Sequence, residues 1–207
     1  MDEPSVEPRK RPTQARSRAT VDALVQATAR VLVEEGPGGT CTNRIAEVAG
    51  VSVGSLYQYF PNKEALVVEV ARRHSERMLG MLERFAEDFA DVPVARAVRT
   101  YVQAMFAVHR LDPDLHAALL PYYLTQGLDR FAAFNARVLA VVRGWLERHR
   151  DEVLPDDVDA AAAVLVIAVE SATHASFVPE LSGVGTGAVE AEVTDLVLRY
   201  LLGASIG

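Results

Sequence analysis

Apolar residues recur at helical spacing along almost the whole 207-residue chain. No convincing run of alternating apolar and polar residues, the pattern of a half-buried strand, interrupts them. An all-α fold of about nine helices is therefore predicted. The first amphipathic helix shows the i, i+3, i+4, i+7 pattern most clearly, in Val21, Leu24, Val25, Thr28, Val31 and Leu32.

Proline and glycine residues divide this pattern into separate helices. The glycine-rich segment 36–39 is predicted to end the first helix. Pro121 is expected to end or kink a helix that opens at Asp112-Pro113, because proline removes a backbone donor. The later helices are predicted at about 126–152, from Pro155 to about 178, and at about 188–202.

The formal net charge is −7, from 21 basic and 28 acidic residues, which for the whole chain argues against a nucleic-acid partner. The charge is unevenly distributed, however. Residues 1–63 carry eight basic and seven acidic side chains, a net of +1, and residues 8–18 carry five positive charges with no negative one. Such asymmetry suggests an arm that meets a polyanion. The alternative is a solvated tail that carries a few arginines.

Several protein classes are excluded by what the sequence lacks. A single cysteine excludes a disulfide framework and a cysteine-built zinc site, and fits a reducing cytosol. The N-terminal segment is polar, and the longest apolar run, residues 160–169, is too short to span a bilayer. A cytoplasmic protein without membrane association is therefore expected. No catalytic or phosphate-loop motif occurs, so neither an enzyme nor a cofactor is predicted.

Two short predicted helices, about 42–49 and 53–59, are joined by Ala49-Gly50-Val51-Ser52. The glycine allows a sharp turn, and Ser52 is a good N-cap for the second helix. This arrangement is a helix-turn-helix, in which the second helix enters the major groove of DNA.

Residues 42–66 read TNRIAEVAGVSVGSLYQYFPNKEAL. This segment closely resembles the DNA-binding signature of tetracycline-repressor-type (TetR/AcrR) regulators, and the resemblance extends over residues 16–66. It implies an all-α protein with a three-helix, helix-turn-helix DNA-binding domain at residues 16–62, after a disordered basic arm at 1–15. Residues 63–207 would then form a helical domain that binds a ligand and dimerises.

The resemblance also assigns roles at the DNA surface. Val53, Gly54 and Ser55 correspond to the base-facing start of the recognition helix. Tyr57 and Tyr59 correspond to phosphate clamps that act through their hydroxyl groups. The other implied contacts, to phosphate, backbone or groove, are Arg16, Arg18, Thr42, Arg44 and Lys63.

Three positions near this surface have alternative interpretations. Tyr57 could lie half in the core, and Arg44 could form a surface ion pair with Glu47. Cys41 stands where this family often has threonine. A thiol at a helix N-terminus is suited to a redox switch, because the helix end favours the thiolate. The alternative is a tolerated small residue, with a flanking threonine supplying the helix cap.

The family resemblance implies an effector pocket, mostly apolar with a few polar anchors, among the middle helices. Ordinary core packing is the alternative for every candidate lining residue. Glu170 and His174, one helical turn apart, could bind a divalent metal with His109 or His116. The same spacing describes a buried hydrogen-bonded pair, so no metal site is predicted. The principal pocket candidates are Phe85, Tyr101, Met105, Phe106, His109, Tyr122, Tyr123, Phe134, Glu170 and His174; Met81, His116, Phe131 and Phe177 are further candidates.

A recognition helix of seven residues reads only a few base pairs, so a homodimer on a pseudo-palindromic, double-stranded DNA operator is expected. The predicted interface is the helix pair 157–178 and 188–202. The first helix is rich in small residues, and both carry more apolar surface than one packing face requires. The family usually dimerises through a four-helix bundle of its last two long helices. A purely intramolecular core is the alternative.

The predicted function is therefore that of a ligand-responsive transcriptional regulator. The expected form is a repressor that a small, largely apolar effector releases from DNA by moving the long helix that begins at Lys63. The alternatives are an activator, a regulator controlled by a protein partner, and a DNA-binding structural protein without allostery.

Overall fold

The computed structural model describes residues 14–125, 127–177 and 183–203. Within these ranges the chain forms nine α-helices and no strand, so the predicted all-α architecture is confirmed. Residues 1–13 of the predicted basic arm lie outside the described residues. The helices are α1 (Ala15–Gly39), α2 (Thr42–Ala49), α3 (Val53–Tyr59), α4 (Lys63–Asp88), α5 (Val94–Leu111), α6 (Pro113–Thr125), α7 (Gly127–Arg148), α8 (Val158–Ser176) and α9 (Thr186–Leu202).

The described residues fall into two compact units. Those within Met1–Ser75 and Ala118–Gln126 form the first unit, and those within Glu76–Ala117 and Gly127–Gly207 form the second. Helices α4 and α6 each contribute residues to both units. The predicted domain boundary between residues 62 and 63 coincides with the start of α4 and stays a prediction.

The core of the first unit follows the apolar pattern of the sequence. All six residues that define the pattern in α1 are buried, as predicted. Helix α1 packs on α2, and α2 on α3. The largest fully buried side chains here include Leu24, Ile45, Leu56, Phe60 and Leu66. The short helices of the motif are therefore held in place by α1 and by this core.

The second unit has its own core, to which α5, α7, α8 and α9 contribute. Helix α9 packs on α5 and α8, and α7 packs on α8. Phe106, Leu146, Leu198 and Leu201 are fully buried at its centre. Of the described helices, α8 is long and apolar enough to cross a membrane by length and composition. The same helix packs against α5, α7 and α9, as a core helix of a globular unit does.

Helix boundaries differ from the predictions in α6, in α8 and in α7, which ends at Arg148 and not at about residue 152. Helix α1 is interrupted at Gly36, whose φ of 68° is not helical, as the glycine-rich segment predicts, and one further turn reaches Gly39, where the Thr40 N–H and hydroxyl both donate to the Gly36 carbonyl. Helix α6 continues past Pro121 to Thr125, although proline lacks a backbone donor. Helix α8 begins after Asp157, because the Asp157 carboxylate accepts a hydrogen bond from the Ala160 N–H at 2.9 Å and caps the helix there.

Candidate nucleic-acid interface and effector cavity

The turn between α2 and α3 has the geometry that a helix-turn-helix needs. Gly50 adopts φ 67° and ψ 30°, a left-handed conformation that favours glycine because it has no Cβ. The Gly50 N–H donates to the Glu47 carbonyl, and the Val51 N–H donates to the Ala46 carbonyl, both at 3.0 Å. These bonds end α2 sharply and allow α3 to begin after only three intervening residues.

In the first turn of α3, the serine hydroxyls form hydrogen bonds within the protein, whereas Gly54 is exposed to solvent. The Ser52 Oγ accepts a hydrogen bond from the Ser55 N–H at 3.1 Å, as the predicted cap requires, and lies 2.8 Å from the Ser55 Oγ. Val53 and Ser55 are half-buried, whereas Gly54 is exposed. A serine hydroxyl donates one hydrogen bond and accepts two, so the Ser55 hydroxyl can contact a base beside its bond to Ser52.

The two tyrosines of α3 are placed differently. Tyr57 is 40% exposed, and its hydroxyl lies 3.1 Å from the Thr42 Oγ1 at the start of α2. Tyr59 is half-buried on the same helix. The Thr42–Tyr57 hydrogen bond joins two of the predicted phosphate contacts into one polar group at the surface.

The predicted cations differ in how far they are already neutralised. Arg44 forms ion pairs with Glu35 at 2.6 Å and with Glu47 at 3.1 Å, and its hydrogen bonds to these two carboxylates raise its pKa. The ion pair with Glu47 is the alternative that the sequence offered, and a phosphate would have to compete with both carboxylates. Lys63, at the start of α4, donates from Nζ to the Pro37 carbonyl at 3.2 Å. Because this carbonyl is neutral, the contact does not neutralise the positive charge of Lys63.

Arg16 and Arg18 lie in the first turns of α1, and both are exposed. The first turn of this helix contains no acidic residue. Two cations at a helix N-terminus oppose the helix dipole, so this placement does not serve helix stability. It leaves both guanidinium groups accessible to an anion.

Cys41 is the N-cap residue of α2 and is exposed, but its side chain makes no capping hydrogen bond. The predicted threonine cap is not formed either. The Thr40 hydroxyl donates to the Gly36 carbonyl, and the Thr42 hydroxyl faces Tyr57. The predicted redox alternative for Cys41 stays a prediction.

A buried ionic network that the sequence analysis did not identify connects α1 to α4 in the first unit. Glu69 is 8% exposed and accepts hydrogen bonds from Arg72 and Arg73, each at 2.8 Å. Arg73 also reaches Asp22 on α1 at 2.6 Å. Burial alone would raise the pKa of Glu69, but the two guanidinium groups hold it below its ordinary value. The i, i+3 and i, i+4 spacing of the α4 members was visible in the sequence.

The second unit contains an apolar cavity of about 70 Å³. Residues from α4, α5, α7, α8 and α9 line it, and two of the predicted pocket residues, Phe85 and Tyr101, are among them. Their rings lie 5.3 Å apart between centroids. Burial raises the pKa of Tyr101, and the charge of Glu170 raises it further. The lining residues that the sequence analysis missed include Leu82, Val98, Val102, Val142, Trp145 and Val169.

The other predicted pocket residues do not gather around this cavity. Phe106 and Met105 belong to the core of the second unit, and Met81, Phe134 and Glu170 are half-buried outside the lining. Burial raises the pKa of Glu170 to about 6. Tyr122 belongs to the first unit, where burial and the charge of Glu64 raise its pKa. The side chains of Tyr123 and Phe131 lie outside the described residues.

Three histidines predicted as pocket candidates, His109, His116 and His174, do come together. Their ligand nitrogen atoms lie within 4.8 Å of one another in the second unit. This group does not include Glu170, which was considered with His174 as a metal ligand. Phe177 packs beside it, with its ring centroid 5.8 Å from that of His109.

Comparison with known proteins agrees with the resemblance seen in the sequence. Residues 24–70 match the family described as bacterial regulatory proteins, tetR family, and residues 93–201 match the tetracyclin repressor-like, C-terminal domain. The HTH-type transcriptional regulator RutR of Escherichia coli K12 is 31% identical over 186 residues, which cover 85% of this chain and 84% of RutR. The chain belongs to the TetR family. It is thus a helix-turn-helix transcriptional regulator, and the predicted family is confirmed.

Solved structures of TetR-family proteins share this fold. FadR of Bacillus subtilis, in complex with stearoyl-CoA, has a TM-score of 0.67 and 21% identity, with 85% of this chain and 96% of that chain covered. SmeT, the repressor of the Stenotrophomonas maltophilia multidrug efflux pump SmeDEF, has a TM-score of 0.71 and 22% identity, with 92% and 95% covered. A further SmeT structure contains triclosan.

Proposed function

We propose that this TetR-family regulator is a cytoplasmic repressor that binds a pseudo-palindromic operator as a homodimer and is released by a small, largely apolar effector. The observation that carries this proposal is the course of α4. The helix begins at Lys63, beside the helix-turn-helix, and Leu82, Phe85 and Ala86 near its other end line the apolar cavity. A change at the cavity can thus reach the DNA-binding unit through one continuous helix.

The size of the cavity indicates how binding would move this helix. Pockets for drug-sized ligands measure roughly 300–1,000 Å³, several times the 70 Å³ found here. An effector of that size must therefore displace the helices that line the cavity. Lys63 and Leu82 are separated by about 28 Å of helix at 1.5 Å per residue, so a small tilt at one end becomes a larger displacement at the other. Recognition helices held about 34 Å apart on DNA would lose their spacing.

The lining also restricts the class of effector. The walls are aliphatic and aromatic, with the Tyr101 hydroxyl as a polar group, whereas the Trp145 Nε1–H already donates to the Phe89 carbonyl at 3.2 Å. Such a surface favours an apolar molecule that offers few hydrogen bonds. Stearoyl-CoA, found in complex with FadR, and triclosan, found in complex with SmeT, have large apolar parts and are consistent with this class.

Homodimer formation is supported by an apolar face on α8 and α9. Val164 and Ile167 on α8 are 46% and 65% exposed, and Leu196 and Tyr200 on α9 are 56% and 39% exposed. The exposed residues 160, 164, 167 and 171 follow one stripe of α8. A second copy of the same pair of helices would cover this face in an isologous interface.

The experiment that tests the function is a DNase footprint on genomic fragments, with and without a library of apolar small molecules. We expect protection of one short palindrome that a single class of compound abolishes. Even coating of unrelated DNA would instead indicate a structural DNA-binding protein. Protection that no compound relieves, but that a protein extract relieves, would indicate control by a protein partner.

Lys63→Ala tests the phosphate contact at the start of α4. We expect roughly tenfold weaker binding to every DNA sequence, because a phosphate contact carries no sequence information. The slope of log K against log salt should become shallower by about 0.9, the value for one counterion. Fluorescence anisotropy at several salt concentrations measures both quantities. Arg96→Ala, which removes an exposed cation from α5, should change neither, and an unchanged slope for Lys63→Ala would exclude the phosphate contact.

Gly54→Ala separates DNA contact from folding. A Cβ added at Gly54 meets nothing nearer than the Ser52 Oγ at 3.9 Å, so the folded protein accommodates it. Alanine should stabilise α3 by about 0.5–1 kcal/mol. If the backbone at this position approaches the bases, the added methyl group should nonetheless weaken operator binding about tenfold or more. Gly144→Ala on α7, where a Cβ meets no atom within 4 Å, should leave binding unchanged. Equal affinities for the two variants would place Gly54 outside the interface.

A further inference from the structure

We propose that His109, His116 and His174 form a binding site for a divalent transition-metal ion of the zinc type. Three helices of the second unit supply the ligands: α5 carries His109, α6 carries His116, and α8 carries His174. One ligand nitrogen from each lies within 4.8 Å of the others. The proposal concerns metal binding and does not depend on the proposed function.

The hydrogen bond at Nδ1 of His109 fixes the tautomer of its ring and leaves Nε2 as the atom that can bind a metal. Its Nδ1 lies 2.8 Å from the Met105 carbonyl oxygen, and a carbonyl oxygen can only accept. Nδ1 therefore carries the proton, and Nε2 of the neutral ring presents a free lone pair. Metal-binding histidines show this arrangement, in which a carbonyl or carboxylate fixes the tautomer and the ring orientation.

The Nε2 atom of His109 is buried and has no hydrogen-bond partner among the described residues. His109 itself is 1% exposed. A buried acceptor without a partner costs about 1–3 kcal/mol, so proteins rarely keep one without a use for it. If the three rings only filled space, an apolar side chain at residue 109 would avoid this cost. A metal ion would satisfy the lone pair.

The other two rings pack against the ring of His109. The His116 ring stacks on that of His109, with centroids 3.9 Å apart, and the His174 ring lies edge-on at 5.0 Å. Burial lowers the pKa of His109, and burial and the neighbouring His109 lower that of His174 to about 4. Burial thus favours the neutral imidazole, which is the form that binds metal.

The donor set determines the kind of ion. Three imidazole nitrogens without a carboxylate suit Zn²⁺, Co²⁺, Ni²⁺ and Cu²⁺, and are unsuited to Mg²⁺ or Ca²⁺, which prefer oxygen. A tetrahedral ion with Zn–N bonds of about 2.0–2.1 Å places its ligand atoms about 3.4 Å apart. Binding therefore requires side-chain rotations that bring the ligand atoms closer, above all of His116, whose ring now stacks on that of His109. A fourth position then remains for water or another ligand.

The test is a titration of the full-length protein, freed of metal with a chelator, first with Co²⁺ and then with Zn²⁺. We expect one Co²⁺ per chain, with the intense visible absorption of a four-coordinate ion, and its displacement by Zn²⁺. In ¹H–¹⁵N spectra of the imidazole groups, Zn²⁺ should shift the resonances of three of the five histidines. This second measurement needs no substitution, so it does not depend on a variant that folds.

His174→Gln should weaken Zn²⁺ binding at least about 100-fold, because even loss of a partner behind the ligand costs 10–100-fold. The matched control is His149→Gln. His149 is also buried and also has its Nδ1 within hydrogen-bond distance, 2.9 Å, of the carbonyl four residues earlier, but it lies outside the group. The His149→Gln variant should bind Zn²⁺ as the wild type does. The proposal is overturned if the wild type takes up no Co²⁺ or Zn²⁺, if His174→Gln binds normally, or if both variants lose binding equally.

Discussion

Replacing Ile167 with aspartate is expected to convert the proposed homodimer into monomers and to weaken operator binding about 100-fold or more. Ile167 is 65% exposed in the single chain, at the centre of the apolar stripe of α8. In an isologous interface each substitution occurs twice, so two carboxylates would be buried without partners. Affinity falls because each recognition helix then binds its half-site without the avidity gain of roughly 10²–10⁴ that a linked pair provides.

Sedimentation equilibrium measures the first effect, since the chain mass is 22.5 kDa and the dimer has twice that mass. Leu196→Asp on α9 should behave like Ile167→Asp, because both residues belong to the same exposed face. The control is Leu111→Asp, at the end of α5, where the side chain is 83% exposed and lies outside α8 and α9. If Ile167→Asp remains a dimer and binds the operator as the wild type does, the proposed interface is wrong.

Glu69→Gln is expected to lower the free energy of unfolding by about 2 kcal/mol at pH 7. Glu69 is nearly buried and neutralises Arg72 and Arg73, and Arg73 continues the network to Asp22 on α1. Glutamine keeps the size of the side chain but not its charge, so two guanidinium groups lose a charged hydrogen-bond partner. Removing one member of a fully buried ion pair costs about 3–5 kcal/mol, and the partial exposure of the two arginines reduces this value.

The pH dependence distinguishes a charge effect from a packing effect. The pKa of Glu69 in the folded protein lies below its ordinary value of 4.5, so its stabilising contribution is fully present above that value and is lost as the pH falls through the folded-state pKa. The difference between wild type and Glu69→Gln in urea unfolding should be constant from pH 8 to 5 and close in stronger acid. A difference that persists in acid would contradict the charge explanation.

Glu83→Gln is the matched control for this experiment. Glu83 also lies on α4 and also pairs with an arginine, Arg137, at 3.1 Å, but both side chains are about half exposed. Surface ion pairs contribute about 0–1 kcal/mol, so the substitution should have little effect at any pH. Equal losses in the two variants would mean that the burial of Glu69 is unimportant.

The helix-turn-helix was predictable because the information that specifies it is local. Gly50 is the residue that a left-handed turn prefers, Ser52 is the cap that was expected, and the buried stripe of α1 follows the predicted spacing. Each of these features depends on residues within one or two helical turns. Family resemblance over the same stretch then connected the local structure with DNA binding.

The state of Arg44 was less predictable. Its partner Glu47 is one turn away and was considered, but Glu35 lies nine residues earlier on another helix. The same reason applies to Arg73 and Asp22, which are 51 residues apart. Pairing between helices depends on how their faces meet, and helical periodicity alone carries no information about that.

The candidate pocket residues also show which features the sequence predicts and which depend on packing between helices. Aromatic residues at helical spacing look alike in the sequence whether they fill a core, as Phe106 does, or line a cavity, as Phe85 and Tyr101 do. The packing of five helices decides between these positions. A small change in the angle between helices opens or closes a space of 70 Å³ without altering any periodicity.

The amino-acid sequence was thus sufficient for the all-helical class, the DNA-binding motif and the apolar surplus of the last two long helices. Each of these follows from the spacing of residues near one another in the chain. Tertiary packing was needed to show the cavity, the neutralisation of Arg44, the Glu69 network and the meeting of His109, His116 and His174. These features join residues that are distant in the chain, and they exist only once helix faces are brought into contact.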